Sequence, residues 1–180
     1  MEQKDYVLEI VKFLTNGGNH VRGLARGLGT NPMMVGRKIK YLVENNVVDL
    51  ELRGRNNFYF LKSTPEARAF VLMSEEYSLV LFLKEHLFLR EIIEKIQKDK
   101  RVKMAFVFGS YVKNLNKKGS DIDFFLVTNN LSVKKEFESL DSRFSVKIGE
   151  YDLENNLVKE IDRAHVLIKG GEFYYEKIFG

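Results

Sequence analysis

The sequence has 180 residues, of which 44% are hydrophobic and 30% charged, and it contains no cysteine. This balance is typical of folded globular domains, and the lack of cysteine excludes disulfide bonds and thiolate chemistry. The longest apolar runs, at residues 69–73 and 79–83, are far shorter than the ~20 residues that span a bilayer, and the N-terminal stretch MEQKDYVLEI lacks the features of a signal peptide. We therefore expect a cytoplasmic protein without a membrane segment and with room for two small domains.

The net charge of +4 is concentrated in the first third of the chain. Residues 1–63 carry ten basic and six acidic side chains, whereas residues 64–100 and 101–180 are close to neutral. A local basic excess suits a module that binds phosphate groups. We expect a first domain at residues 1–63, a helical linker at 64–100 and a second domain at 101–180.

The N-terminal third shows the element order of a winged helix-turn-helix. Apolar residues at helical spacing predict a first helix that ends at an Asn-Gly-Gly turn, and a short helix follows over about Val21–Leu28. Asn31 and Pro32 predict the start of a third helix, because Asn favours the N-cap and Pro the first helical position. Alternating apolar and polar residues then predict a half-buried strand at 48–53 that forms a hairpin with 58–61.

The predicted third helix carries a basic and aromatic stripe beside its apolar face. Arg37, Lys38 and Tyr41 lie on this stripe, and Arg53 and Arg55 lie on the predicted wing. In a winged helix these positions face a DNA groove and the phosphate backbone, so we favour DNA as the partner. Two acidic residues on the same hairpin leave docking to a partner protein as the alternative.

The linker is predicted to be helical. One helix start is expected at Thr64-Pro65 and a second at Ser74, with the second helix continuing to about Lys98. Apolar residues on most sides of this second helix indicate burial against another domain or in a homodimer, and we expect a homodimer. The three histidines lie far apart in the sequence, which does not match the ligand spacing of a zinc site.

The segment FVFGSYVKNLNKKGSDIDFF joins two apolar runs through a Gly-Ser pair and an Asp-Ile-Asp triplet. Gly109 allows a phosphate to approach the backbone closely, and Ser110 adds a hydroxyl donor. Because alternate residues of a strand face the same side, Asp121 and Asp123 project together while Ile122 enters the core. Two adjacent carboxylates suit a hard divalent cation, Mg²⁺ or Mn²⁺, with substrate phosphates in its coordination shell.

This segment resembles the signature of the minimal nucleotidyltransferases of the DNA polymerase β superfamily, and the resemblance covers about residues 93–180. It implies that Gly109 and Ser110 hold the triphosphate of an NTP and that Asp121 and Asp123 bind the metal. The implied reaction transfers a nucleoside monophosphate to a protein or nucleic-acid acceptor, and pyrophosphate leaves. Members of this minimal type often act as antitoxins that nucleotidylate a partner toxin, so the resemblance also implies a toxin as a partner.

The resemblance also implies a third carboxylate, but the position where the family usually has it holds no acid in this sequence. The acid is expected between two apolar residues of the neighbouring strand, and Lys147 stands there between Val146 and Ile148. Glu150 is a substitute metal ligand only if a bulge or the strand end lets it reach the site. Lys147 could instead contact a phosphate or pair with an aspartate, which favours nucleotide binding over catalysis.

The sequence thus predicts an α+β fold: a winged helix-turn-helix, a helical linker and a polymerase β-like domain with a small mixed sheet. Two functions remain open. One is a Mg²⁺-dependent nucleotidyltransferase, and the other is a DNA-binding regulator that senses nucleotide with weak or no catalysis.

Overall fold

A computed structural model describes residues 4–180, and within that range the chain forms eight α-helices and two small sheets. The chain divides into two compact units, the first ending at Tyr77 and the second covering Ser78–Gly180. The predicted α+β class is confirmed, with a winged helix in the first unit and a mixed sheet in the second. No helix in the described range is long and apolar enough to cross a membrane.

The first unit has the winged-helix order that the sequence predicts. Its elements are α1 (Tyr6–Thr15), α2 (Val21–Gly27), α3 (Pro32–Glu44), β1 (Val48–Arg53) and β2 (Asn56–Leu61). The predicted cap of α3 is confirmed, because the Asn31 side chain accepts a hydrogen bond from the Met34 amide at 2.8 Å and Pro32 is the first helical residue. β1 and β2 pair as an antiparallel hairpin.

This hairpin is more exposed than its alternating pattern predicts. Val48 is the buried residue of β1, whereas Leu50 and Leu52 are 42% and 73% exposed. The middle of β2 is joined to the segment before α2 by Asn19 and Tyr59, which exchange backbone hydrogen bonds of 2.9 and 2.8 Å. The prediction of a half-buried strand is wrong for β1 beyond Val48, because the side chains of Leu50 and Leu52 remain exposed to solvent.

The predicted helix start at Ser74 is also wrong. Helix α4 runs without interruption over Pro65–Glu85 and contributes residues to both units. Ser74 is buried within it and donates to a backbone carbonyl one turn earlier, and Glu75 is buried as well. The chain changes direction instead at a 3-10 turn, Leu87–Leu89, which leads into α5 (Arg90–Lys98).

Apolar side chains occur on several sides of α4. Leu79 and Phe82 are buried in the second unit, whereas Met73 and Val80 are about half exposed. The predicted homodimer stays a prediction.

The second unit contains the predicted mixed sheet. Its elements after α5 are β3 (Met104–Phe108), β4 (Ile122–Val127), α6 (Leu131–Glu138), β5 (Phe144–Gly149), α7 (Asn156–Arg163), β6 (His165–Lys169) and α8 (Gly171–Phe179). The strand order is β5-β4-β3-β6, in which β4 and β5 are parallel and β3 is antiparallel to both β4 and β6. The aromatic stretch after β6 forms α8, which buries Tyr174.

Helices cover both faces of this sheet. On one face, α5, α6 and the end of α4 pack on a cluster that includes Val107, Ile122 and Phe124. On the other face, α7 and α8 pack on a cluster that includes Phe106 and Phe125. Every residue of β3 is apolar and buried. Because helices cover both faces of the strand, its side chains do not alternate between apolar and polar.

The first unit depends on an ion pair between α1 and α4. The ammonium of Lys12 lies 2.6 and 2.5 Å from the two carboxylate oxygens of Glu75, whose side chain is 1% exposed. Lys12→Met leaves this buried carboxylate without the ammonium, so we expect the free energy of unfolding to fall by roughly 2–3 kcal/mol. Urea denaturation followed by circular dichroism measures the loss.

Lys40→Met is the matched control for that measurement. Lys40 and Glu44 form an exposed pair at 3.7 Å, and such pairs contribute about 0–1 kcal/mol. Equal stabilities of the two variants would contradict a structural role for the buried pair.

Candidate functional site

The Gly-Ser pair lies at the end of β3. Gly109 has φ +79 and opens a run of turns over residues 109–114. The Lys113 amide donates to the Gly109 carbonyl at 3.2 Å, and the Leu115 amide donates to the Ser110 carbonyl at 2.9 Å. The chain therefore forms a helical turn after Ser110 that does not continue into a helix.

Asp123 packs directly against Gly109. The register of β3 and β4 pairs Asp123 with Phe108, the residue before the glycine. A Cβ atom at position 109 would lie 2.5 Å from Asp123 Oδ2, so a larger residue would displace the carboxylate. Positive φ and this close approach each require glycine. The fold thus brings together the two halves of the motif that the sequence singles out.

The two aspartates differ in their environment. Asp121 is exposed just before β4, Asp123 is half-buried, and Ile122 between them is fully buried on the opposite face. Burial raises the pKa of Asp123, a hydrogen bond from the Ser145 hydroxyl opposes the rise, and the nearby charge of Asp121 adds to it. The rise comes mainly from the lost hydration of the ionised Asp123 carboxylate, and a bound cation would offset this loss together with the repulsion from Asp121.

Lys147 lies on the neighbouring strand at the position where an acid was expected. The parallel register pairs Asp123 with Ser145, and Lys147 follows two residues later. Residues two apart in a strand share a face, so Lys147 is on the side of the sheet that carries Asp123. Its positive charge lowers the pKa of Asp123, although burial outweighs this effect.

Glu150 does not reach the aspartates, and the suggestion that it replaces the missing ligand is wrong. It lies just beyond β5, ~16 Å along the strand direction from Ser145 at the usual rise per residue. There it lines an open cleft of about 1150 Å³ together with Thr128 and Tyr151, at the other end of the sheet. Within residues 4–180, no group of three His, Cys, Asp or Glu residues is arranged to hold a metal ion.

The residues present fit one hard divalent cation better than a pair of cations. Asp121 and Asp123 would offer such a cation carboxylate oxygens, the ligands that Mg²⁺ and Mn²⁺ prefer. A second cation would need a further carboxylate, and Lys147 places a fixed positive charge there instead.

Two charged residues beside this site were not singled out from the sequence. The ammonium of Lys113, in the turn that follows Ser110, donates to Glu160 Oε1 on α7 at 3.0 Å. The charge of Glu160 also raises the pKa of Asp123, which places Glu160 within electrostatic reach of the aspartates. No local pattern could have predicted this contact, because 47 positions separate the two residues.

The residues predicted to bind DNA from α3 border one shallow cavity. Arg37, Lys38 and Tyr41 line this cavity of about 380 Å³ together with Met34 and with Val7 of α1. Arg37 is exposed, Tyr41 is 45% exposed and Lys38 is partly buried. The Tyr41 ring also packs edge-on against Phe70 of α4, with ring centroids 6.4 Å apart.

The two wing arginines are placed differently. The guanidinium of Arg53 lies 3.7 Å from the centroid of the Phe58 ring and pairs with the Glu51 carboxylate, so it is held along the hairpin. Arg55 is exposed in the two-residue turn Gly54-Arg55.

A second shallow cavity, of about 280 Å³, lies between the starts of α2 and α3 and the wing. It is lined by polar side chains that the sequence reasoning missed, namely His20, Arg22, Asn56 and Asn57. No local sequence pattern marks these residues, because they come together only in the folded unit. The backbone bridge between Asn19 and Tyr59 brings the hairpin to the start of α2.

Comparison with protein-family models gives one match: residues 90–177 match the model of the nucleotidyltransferase domain of polymerase β. A comparison with curated proteins found no match. Among solved structures, the chain is similar to several winged-helix regulators, all at TM-scores below 0.5. The winged-helix assignment therefore rests on the observed order of α1 to β2.

Three of these structures illustrate the likeness. The transcriptional repressor BigR from Xylella fastidiosa is 20% identical, with a TM-score of 0.35 over 38% of this chain and 67% of that one. The homodimeric winged helix-turn-helix DNA-binding domain Mb0332 from Mycobacterium bovis is 24% identical, with a TM-score of 0.34 over 44% and 68% of the two chains. The adhesin competence repressor AdcR from Streptococcus pyogenes is 17% identical, with a TM-score of 0.42 over 52% and 76%.

The family match covers the whole of the sheet in the second unit and both halves of the Gly-Ser and Asp-Ile-Asp motif. Residues 90–177 therefore match a nucleotidyltransferase domain of the polymerase β family, on the same chain as a winged helix-turn-helix.

Proposed function

We propose that the second unit binds a nucleoside triphosphate together with one divalent cation, and that the first unit binds DNA, so that the protein is a nucleotide-responsive DNA-binding regulator. The observation that carries the nucleotide part is the contact between Asp123 and Gly109. It puts a half-buried carboxylate beside a glycine whose bare backbone could admit a phosphate.

Each residue of this site has a distinct part in binding. The backbone at Gly109 and the hydroxyl of Ser110 contact phosphate oxygens, and Asp121 and Asp123 hold the cation, Mg²⁺ or Mn²⁺. The cation neutralises the carboxylates and the phosphates when it is bound. The ammonium of Lys147, on the same side of the sheet as Asp123, adds a fixed positive charge for the triphosphate.

Transfer of a nucleoside monophosphate is the second candidate, and the intact aspartate pair favours it. In-line displacement is helped most by two cations about 4 Å apart, which stabilise the attacking and leaving oxygens. Lys147 takes the place of the carboxylate that the second cation requires, so we expect transfer to be slow. A protein or nucleic acid remains the expected acceptor, and a toxin partner belongs to this candidate.

Binding of nucleotide is expected to depend on both the cation and the aspartates. Asp121→Ala/Asp123→Ala should abolish the tightening that Mg²⁺ causes and weaken binding of the nucleotide–Mg²⁺ complex at least tenfold, about 1.4 kcal/mol. Titration calorimetry with each of the four common NTPs, with and without Mg²⁺, measures this. Equal affinities with and without Mg²⁺ in the unmodified protein would contradict the proposal.

Transfer is tested by changing Lys147 to the acid that the family pattern implies. Incubation of the protein with labelled NTP, Mg²⁺ and cell lysate should give little labelled product, and Lys147→Asp should give more, because it restores a third carboxylate. The aspartate double variant provides the background. Strong labelling by the unmodified protein would establish the transferase instead of the regulator.

The DNA part of the proposal rests on the charge and exposure of the first unit. Its excess of basic side chains includes Arg37 and Arg55, both exposed, and Arg22 beside the wing. Arginines at the start of α2, on α3 and on the wing can contact phosphates while α3 contacts a groove. The likeness to winged-helix regulators is consistent with this role and adds no independent weight.

Binding to duplex DNA is expected to weaken steeply with salt, and Arg37→Ala/Lys38→Ala should weaken it further. Each lost phosphate contact lowers the slope of log affinity against log salt by roughly one. Fluorescence anisotropy between about 50 and 200 mM salt measures this slope. Lys95→Ala/Lys98→Ala on α5 is the control, and equal binding by both double variants would point to a protein-docking role.

A further inference from the structure

We propose that the cleft at the carboxyl ends of β4 and β5 binds a small zwitterion, a peptide of two or three residues with apolar side chains. This site goes beyond the proposed function, because the cleft lies at the opposite end of the sheet from the Gly-Ser and Asp-Ile-Asp motif. The observation that carries the inference is the opposite charge on the two sides of this cleft of about 1150 Å³.

The cleft opens where two connections of the sheet diverge. β4 and β5 are neighbouring parallel strands. The helix that follows β4, α6, packs on the cluster of one face, whereas α7, which follows β5, packs on the cluster of the other face. The two loops therefore separate, and residues 127–132 and 150–153 line the gap between them. A crevice of this kind, outside the carboxyl ends of parallel strands, is where α/β sheets bind ligands.

The cleft is distant from the aspartates of the nucleotide site. Asp123 is the second residue of β4, and Thr128 follows the last one. At the usual rise per residue, about 16 Å of strand separates these two positions. A ligand in the cleft therefore leaves Asp123 accessible, and the two sites can be tested independently.

Acidic and basic side chains flank the end of β4 on opposite sides. Glu150 and Asp152 follow β5, whose last residue pairs with Val127 at the end of β4. On the other side, the amide of Lys103 donates to the Val127 carbonyl at 2.9 Å, and Lys177 belongs to α8. All four charged side chains are exposed. The strand order β5-β4-β3 thus sets the acidic and basic backbones two strand spacings apart, about 10 Å.

This separation indicates the length of the ligand. An extended peptide spans about 3.3–3.6 Å per residue, so two or three residues hold an ammonium and a carboxylate roughly 7–10 Å apart. The ammonium then faces Glu150 and Asp152 while the carboxylate faces Lys103 and Lys177. A nucleoside monophosphate is less complementary, because the same two carboxylates repel its phosphate.

The remaining lining indicates apolar side chains on the ligand. It includes two buried residues and two partly buried ones, Val127, Tyr151, Leu153 and Phe173. Ligand pockets commonly combine such an apolar lining with a few polar groups that fix the orientation of the ligand. The ammonium of Lys177 lies 5.6 Å from the centroid of the Phe173 ring, so a basic group borders this apolar part.

Arg101 also lines the cleft, but two carboxylates of the protein already bind it. Its guanidinium lies 2.7 Å from Asp99 and 2.6 Å from Glu136. We therefore assign the carboxylate of the ligand to Lys103 and Lys177.

Titration calorimetry of the full chain with the tripeptide Ala-Phe-Ala tests the site. The zwitterion should bind, and N-acetylation or C-amidation should each weaken binding about fivefold, the ratio that an exposed ion pair gives. Lys103→Met/Lys177→Met should remove the preference for the free carboxylate and keep that for the free ammonium. Glu150→Gln/Asp152→Asn should do the reverse, because each pair of side chains recognises one end of the peptide.

Glu154→Gln/Lys159→Met is the matched control, because these residues form an exposed pair at 3.2 Å and do not line the cleft. It should leave all three affinities unchanged. Asp121→Ala/Asp123→Ala should also bind the tripeptide normally, and a loss there would place the peptide in the nucleotide site and overturn the proposal.

Three further results would contradict the zwitterion site. They are no heat of binding from the zwitterion, equal affinities for the free and blocked peptides, and tighter binding of adenosine monophosphate than of the tripeptide by the aspartate double variant. Failure of the unmodified protein to bind any NTP would contradict only the proposed function.

Discussion

The candidate site depends on the pairing of β3 with β4. Both strands are packed on both faces, so a shift of register would move large apolar side chains out of two clusters at once. The register therefore fixes Asp123 opposite Phe108 and brings its carboxylate against Gly109. Gly109, the proposed phosphate contact, and Asp123, the proposed metal ligand, are 14 positions apart in the sequence and become neighbours through this register.

The strand pairing of this sheet also determines which charged side chains lie near Asp123. Parallel pairing of β4 with β5 places Lys147 on the side of Asp123, and the packing of α7 adds Glu160. Burial raises the pKa of Asp123, and the charges of Asp121 and Glu160 add to the rise while that of Lys147 opposes it. The proposal of one cation in place of two rests on this positive charge of Lys147 where a third carboxylate was expected.

The first unit is stabilised by the packing of α1 to α4 around the buried side chains of Leu24, Val35 and Leu42. In its wing, β1 is exposed beyond Val48. Exposure of the wing is compatible with a surface that becomes covered only when a partner binds. The backbone bridge to β2 joins the wing to the segment before α2, and the buried pair of Lys12 with Glu75 ties α4 to α1. These contacts set where the basic residues of α2, α3 and the wing lie relative to one another.

The sequence by itself determined the elements whose signals are local: the capped α3, the hairpin, the strands around the motif, and the pairing of Asp121 with Asp123 through strand periodicity. The resemblance to the polymerase β family implied a third acid on the neighbouring strand, and the flanking apolar residues Val146 and Ile148 identified Lys147 as the residue at that position. Only the tertiary structure decided the continuous α4, the exposure of Leu50 and Leu52, the distance of Glu150 from the site and the contact of Lys113 with Glu160. These features depend on contacts between residues that are far apart in the chain. A local sequence pattern does not determine such contacts, because it does not show which surfaces become buried against each other.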